Sequence, residues 1–166
     1  MRNSCNSKST SCAHSAPPPR PLLPDPPTLD TNPGRALQKS LQKLQNAIDD
    51  LAEPHRAGYR RACAFLQEAT TRWPMGYPNG GFIAWPVNID ETFLSCLKDG
   101  HWMARMVFLH YGVGMHLLSE NWYVGDWGRR MVAAVLQGAE DIPSTWADTI
   151  AWTQQAVGLD IEVDTN

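Results

Sequence analysis

The stretch His101-Trp-Met-Ala-Arg-Met-Val-Phe-Leu-His-Tyr-Gly-Val-Gly-Met-His-Leu-Leu-Ser119 decides the fold. At about 100° per residue its apolar side chains point in most directions, as expected of a central helix buried on nearly all sides. One stripe differs. His101, Arg105, Gly112 and His116 fall within about 60° of one another, and Glu120 follows His116 at i+4. Charged groups are rarely buried unpaired, so this stripe is expected to face solvent, an acidic partner or the polar part of a pocket. His110 lies on the opposite, apolar side with Met103, Met106 and Leu117, either as a satisfied core histidine or as a ligand contact. Gly112 and Gly114 each cost about 1 kcal/mol relative to alanine inside a helix. A close neighbouring backbone or room for a bound molecule would compensate equally well.

Working outward, the flanks supply further helices. Leu37, Leu41, Leu44, Ile48 and Leu51 recur at spacings of 4, 3, 4 and 3 in a helix expected over Arg35 to Ala52. This stripe reads as an intramolecular contact or as a dimer seam. Pro54 suits the first turn of a second helix reaching Arg72, with Tyr59, Ala62, Cys63, Leu66 and Ala69 inward. Trp73 to Asn88 reads as a loop, because Pro74, Pro78, Gly80, Gly81 and Pro86 oppose regular structure; its aromatic residues should lie on a core or over a cavity. Asp90 is a good N-cap for a third helix that turns Phe93, Leu94 and Leu97 inward and ends at Gly100. After the central helix comes the turn Asn121-Trp-Tyr-Val-Gly-Asp-Trp-Gly128, then a helix from Trp127 to Gln137. A last helix starts between Asp141 and Ser144 and closes at Gly158. The expectation is an all-α bundle of about six helices with an aromatic Trp-Pro loop. It spans residues 34–158, between a disordered Pro/Ser-rich tail (1–33) and an acidic tail (159–166). Residues 1–33 hold eight of the thirteen prolines, too few apolar groups to offset the entropy of ordering them.

Charge and motifs exclude several functions. The net charge is −3, made of +1 in residues 1–33, zero in 34–128 and −4 in 129–166. No basic face emerges, so direct nucleic-acid contact is not expected. No apolar run approaches the roughly 18 residues of a membrane span, and no signal-peptide core is present, so an intracellular location is expected. Cys5 and Cys12, with His14 as the only further candidate, do not make a zinc cluster. Phosphate loops, zinc-protease and nucleophile-elbow motifs are absent, and no metal or other cofactor is expected. The best acid–base pair is His116 with Glu120; Arg105 and His110 could assist.

Two segments carry a family likeness. Phe82-Ile-Ala-Trp-Pro86 continues through Phe93-Leu-Ser-Cys-Leu97 into Phe108-Leu-His-Tyr-Gly-Val-Gly-Met-His116, and Trp122-Tyr-Val-Gly-Asp-Trp-Gly-Arg-Arg130 follows. In order and spacing, from about residue 55 to 155, they resemble the C-terminal regulatory region of fungal zinc-cluster (Zn2Cys6) transcription factors similar to sterol uptake control protein. That resemblance implies an all-helical domain enclosing an apolar cavity for a sterol-like molecule, without the cysteine-rich DNA-binding cluster. It makes Trp85, Met106, His110, Tyr111, Met115, Trp122 and Trp127 candidate ligand-binding residues, and a nuclear location follows if the chain is a regulator. Arg105, Gly112 and Gly114 depart from the family pattern and imply a wider, more polar cavity.

Three functions stay open. The first is a ligand-binding regulatory domain for a bulky apolar molecule such as a sterol, terpenoid or polyketide. The second is a cofactor-free cyclase or isomerase built on that domain, using Arg105, His110, His116 and Glu120. The third is an interaction module pairing, as a homodimer or with a partner regulator, through Leu37, Leu41, Leu44, Ile48 and Leu51.

Overall fold

A computed structural model describes residues 32–52, 54–72 and 80–159. These residues form seven α-helices and no strand: α1 (Pro33–Asp49), α2 (Arg56–Arg72), α3 (Gly80–Asn88), α4 (Glu91–Lys98), α5 (Trp102–His116), α6 (Trp127–Leu136) and α7 (Ala147–Ala156). A single 3-10 turn, Ser144–Trp146, leads into α7. The all-α class is as the sequence predicts. The expected tails lie outside the described residues, except that Pro33 opens α1 behind the Asn32 cap and Leu159 packs on the core.

The stripe on α1 shows why this is one body. Leu37, Leu41, Leu44 and Ile48 are wholly buried within a single chain, with Leu51 half-buried. A dimer seam through these residues is therefore corrected: their faces are already used. α2 runs antiparallel to α1, as the Cys63 thiol and the Gln67 amide both reach the Leu41 carbonyl while Arg60 pairs with Asp49 at the other end.

The expected loop is corrected over residues 80–88, which form α3 with Pro86 inside it; residues 73–79 lie outside the described set. Phe82 and Trp85, three residues apart, are both about 1% exposed, and the Trp85 indole N–H donates to the Ala62 carbonyl at 2.8 Å. Burying two aromatic side chains, at about 2–3 kcal/mol each, offsets the roughly 3 kcal/mol cost of one helix proline.

α4 starts as predicted: the Asp90 carboxylate accepts from the Phe93 backbone N–H at 2.8 Å. Gly100 follows it in the left-handed region at φ +78°. Leu94 is corrected, since it points out while Cys96 is buried. α5 is the centre and packs against each of the other six helices. It ends at His116, three residues short of the expected Ser119, and the chain continues in consecutive turns.

Candidate functional site

Glycines on α5 mark where neighbours come close. A Cβ built on Gly112 would lie 2.8 Å from Val132 Cγ2 and 3.3 Å from the Gly128 carbonyl, both on α6. One built on Gly114 would run into the Phe82 ring of α3, with Cδ1 at 2.7 Å. The compensation for these two glycines is close helix packing. The hollow expected beside them is occupied by the protein's own side chains.

The residues that the family likeness assigns to one pocket separate into three environments. Trp85 stacks on Tyr111 with ring centroids 4.3 Å apart, both inside the core. Met106 and Met115 are core residues as well. His110 is fully buried on another side of α5. Its Nδ1 lies 2.7 Å from the Met106 carbonyl and its Nε2 2.8 Å from the Ser40 hydroxyl. The carbonyl can only accept, so Nδ1 donates and Nε2 accepts from Ser40. Burial pulls this imidazole down to about 4, against a smaller upward effect of the Met106 carbonyl. It is a neutral, satisfied core histidine. Trp122 and Trp127 are 92% and 61% exposed. Among the described residues the seven do not share one environment.

The acid–base set is not assembled either. α5 stops at His116, so Glu120 lies in the following turns and forms no ion pair or hydrogen bond with it. Burial, and then the Arg129 charge, lower the proton affinity of His116, whose Nδ1 has no hydrogen-bond partner. Arg105 is half-buried between Gly100 and Gly138, with Nη1 unpartnered. His101 is exposed at the start of α5, its Nδ1 3.3 Å from the Tyr59 hydroxyl. The buried Cys63 thiol is pushed up to about 12, first by burial and then by the Asp49 charge, which keeps it from acting as a nucleophile. Among the described residues no group of three His, Cys, Asp or Glu could hold a metal ion. No described helix is long and apolar enough to cross a membrane.

What the residues do bring together is an outward aromatic turn. After α5, Asn121 accepts backbone bonds from Val124 and Gly125, and its side-chain amide donates to the Leu118 carbonyl at 2.9 Å. Val124 is 2% exposed and pins the turn to the core. Around that pin, Trp122, Tyr123 (44% exposed) and Trp127 project outward, with the Trp122 and Tyr123 rings edge to face at 5.7 Å. Glu120 precedes the turn, Asp126 lies within it, and Arg129 and Arg130 follow in the first turn of α6; Arg130 reaches Asp126 at 3.4 Å. The family likeness alone assigns Trp122 and Trp127 to a pocket, and aromatic residues in a turn read equally well as a cavity wall or as a surface. The signal that separates the two is Val124, the one aliphatic residue among them, which serves as the anchor.

A largely apolar groove is lined by Pro33 and Ala36 of α1, Val113 and Leu117 at the end of α5, and Trp152, Gln155 and Ala156 of α7. Its volume is about 230 Å³ and it is open to solvent. A second, polar groove runs between Arg35, Lys39, Gln42 and Gln67. No protein-family model, curated protein or solved structure matches this chain.

Proposed function

We propose that the chain is a helical interaction module whose contact surface is the aromatic turn Trp122–Trp127. The observation that carries this reading is the exposure of Trp122 and Trp127 on a turn that Val124 fixes. Large aromatic side chains left in water on a small domain mark contact sites, and they bring much contact area at little entropic cost. A photo-crosslinking amino acid at position 122 tests the reading in cells. A discrete protein adduct that disappears in Trp127→Ser is expected; an adduct pattern indifferent to Trp127→Ser would overturn it.

A second reading follows from the likeness to fungal zinc-cluster regulators: binding of a bulky apolar small molecule. The groove between α1, α5 and α7 favours it, since Trp152 and Leu117 give it an apolar wall. At about 230 Å³ it is smaller than the roughly 300–1,000 Å³ of most small-molecule sites, so Leu117 and Trp152 would have to give way. A sterol bound there raises Tm in proportion to ln(1 + [L]/Kd), an effect that Trp152→Ala abolishes. Equal Tm with and without saturating sterol would remove this reading. The enzyme alternative needs the same space.

A further inference from the structure

We propose that Ser40 and His110 form a nucleophile–base pair that takes an acyl group from an activated ester whose apolar chain lies in the groove between α1, α5 and α7. The inference rests on that groove admitting an apolar molecule and is independent of the aromatic turn. The Ser40 hydroxyl donates to His110 Nε2 at 2.8 Å, and Nδ1 of the same ring donates to the Met106 carbonyl at 2.7 Å. A hydroxyl bonded to a ring nitrogen, with the ring's tautomer fixed by a third group, is the arrangement that activates a serine. The bond that satisfies the buried histidine is the one that draws on the Ser40 proton. Ser40 itself is half-buried, on the side of α1 that meets α5.

Three helices lead from the groove to this pair. On α1, Ala36 lines the groove and Ser40 follows one turn on; on α5, Val113 lines it and His110 stands one turn before. On α7, Trp152 belongs to both, since it walls the groove and its ring centroid lies 5.9 Å from that of His110. One turn past Ser40, Lys43 holds its ammonium 3.2 Å from the Thr149 hydroxyl of α7. The seam thus runs from apolar side chains at its open end, through a hydroxyl–imidazole pair, to a cation. That order suits an apolar chain with a carbonyl head, because a nearby positive charge favours the oxyanion that forms on attack.

In the step itself, Ser40 Oγ bonds the carbonyl carbon and its proton passes to His110 Nε2. The bond from that carbon to the leaving oxygen then breaks, and the leaving group takes the proton from Nε2. Water repeats the two transfers, which frees the acid and restores Ser40. Burial keeps the imidazole neutral at pH 7 but holds it at about 4, a weak base. Esters of acidic alcohols such as phenols are therefore the substrate class, and amides are not.

The test uses the full chain and a hexyl fluorophosphonate, on which Oγ bonds phosphorus and fluoride leaves. One adduct is expected, placed on Ser40 by peptide mass spectrometry and absent from Ser40→Ala. His110→Gln, in protein that circular dichroism shows to be folded, should label about a hundredfold more slowly. The ethyl analogue should react about tenfold more slowly than the hexyl probe, since it leaves four methylene groups fewer to bury in the groove. Ser40→Ala and the chain-length comparison carry the test if His110→Gln does not fold. No adduct at Ser40, an adduct spread over several serines, equal rates in folded His110→Gln, or equal rates for the two probes would overturn the proposal. A sterol-dependent rise in Tm without a Ser40 adduct would leave the groove reading standing and remove this one. Loss of both results removes both.

Discussion

Gly128 at the start of α6 sits against Gly112 of α5: a Cβ on Gly128 would lie 2.5 Å from the Gly112 carbonyl oxygen and still closer to the His116 backbone nitrogen. Backbone cannot swing aside as a side-chain tip can, so the two helices would have to separate. Gly128→Ala is expected to destabilise the fold by about 2–3 kcal/mol, the upper part of the overpacking range. Gly112→Ala, which meets the Val132 methyl group first, should cost less. Thermal melts of the two variants check the ranking; a Gly128→Ala protein melting with the parent would contradict this packing.

Burial of His110 makes part of the stability depend on acid. The ring titrates near 4 when folded and near 6.5 when unfolded. Between those values the unfolded chain holds the extra proton. The contribution is complete above about pH 6.5 and is lost as pH falls toward 4, amounting to about 3 kcal/mol. Urea titrations of the parent and of His110→Gln at pH 7, 6, 5 and 4 should show a shallower pH slope for the variant. Parallel slopes would mean that the ring is not buried in neutral form.

Leu44 is wholly enclosed in one chain. Leu44→Glu would place a carboxyl group among Leu41, Ile48 and the α2 face, at a cost of several kcal/mol even after it takes up a proton, a large share of the roughly 5–15 kcal/mol that holds a domain folded. Circular dichroism should report an unfolded or aggregated protein. A folded monomer replacing a parent dimer would instead restore the seam.

Tryptophans should divide sharply by position. Trp122→Ser is expected to change stability by less than about 0.5 kcal/mol, as for other exposed sites. Trp85→Phe removes the hydrogen bond to the Ala62 carbonyl and part of the stack on Tyr111, and should cost about 1–3 kcal/mol. Chemical denaturation of both variants measures the contrast.

Long apolar periodicities made most helices legible. The α1 stripe, the inward set of α2 and the near-uniform hydropathy of α5 each fix a helix and its buried side, and Asp90 and Gly100 bracket α4 as their chemistry requires. α3 was not legible, because the local penalties of Gly80, Gly81 and Pro86 are visible in sequence whereas the burial of Phe82 and Trp85 that overrides them is tertiary. Leu94 misled for a related reason: an eight-residue helix has too few turns to say which apolar side is the core side. The site was the least legible part. A glycine on a buried helix is the same letter whether it makes room for a ligand or for Phe82, and only the position of α6 and α3 separates the two.

The placement of α5 constrains how the chain can be made. Helices α1 to α4 all precede it, yet each needs it as a neighbour. During synthesis the whole of α1 to α4 must leave the ribosome before the keystone of the bundle arrives, and until then Leu37, Tyr59, Phe82 and Phe93 have no complete shelter. The interval in which this protein is most open to chaperones and proteases is therefore set by the emergence of residues 102–116.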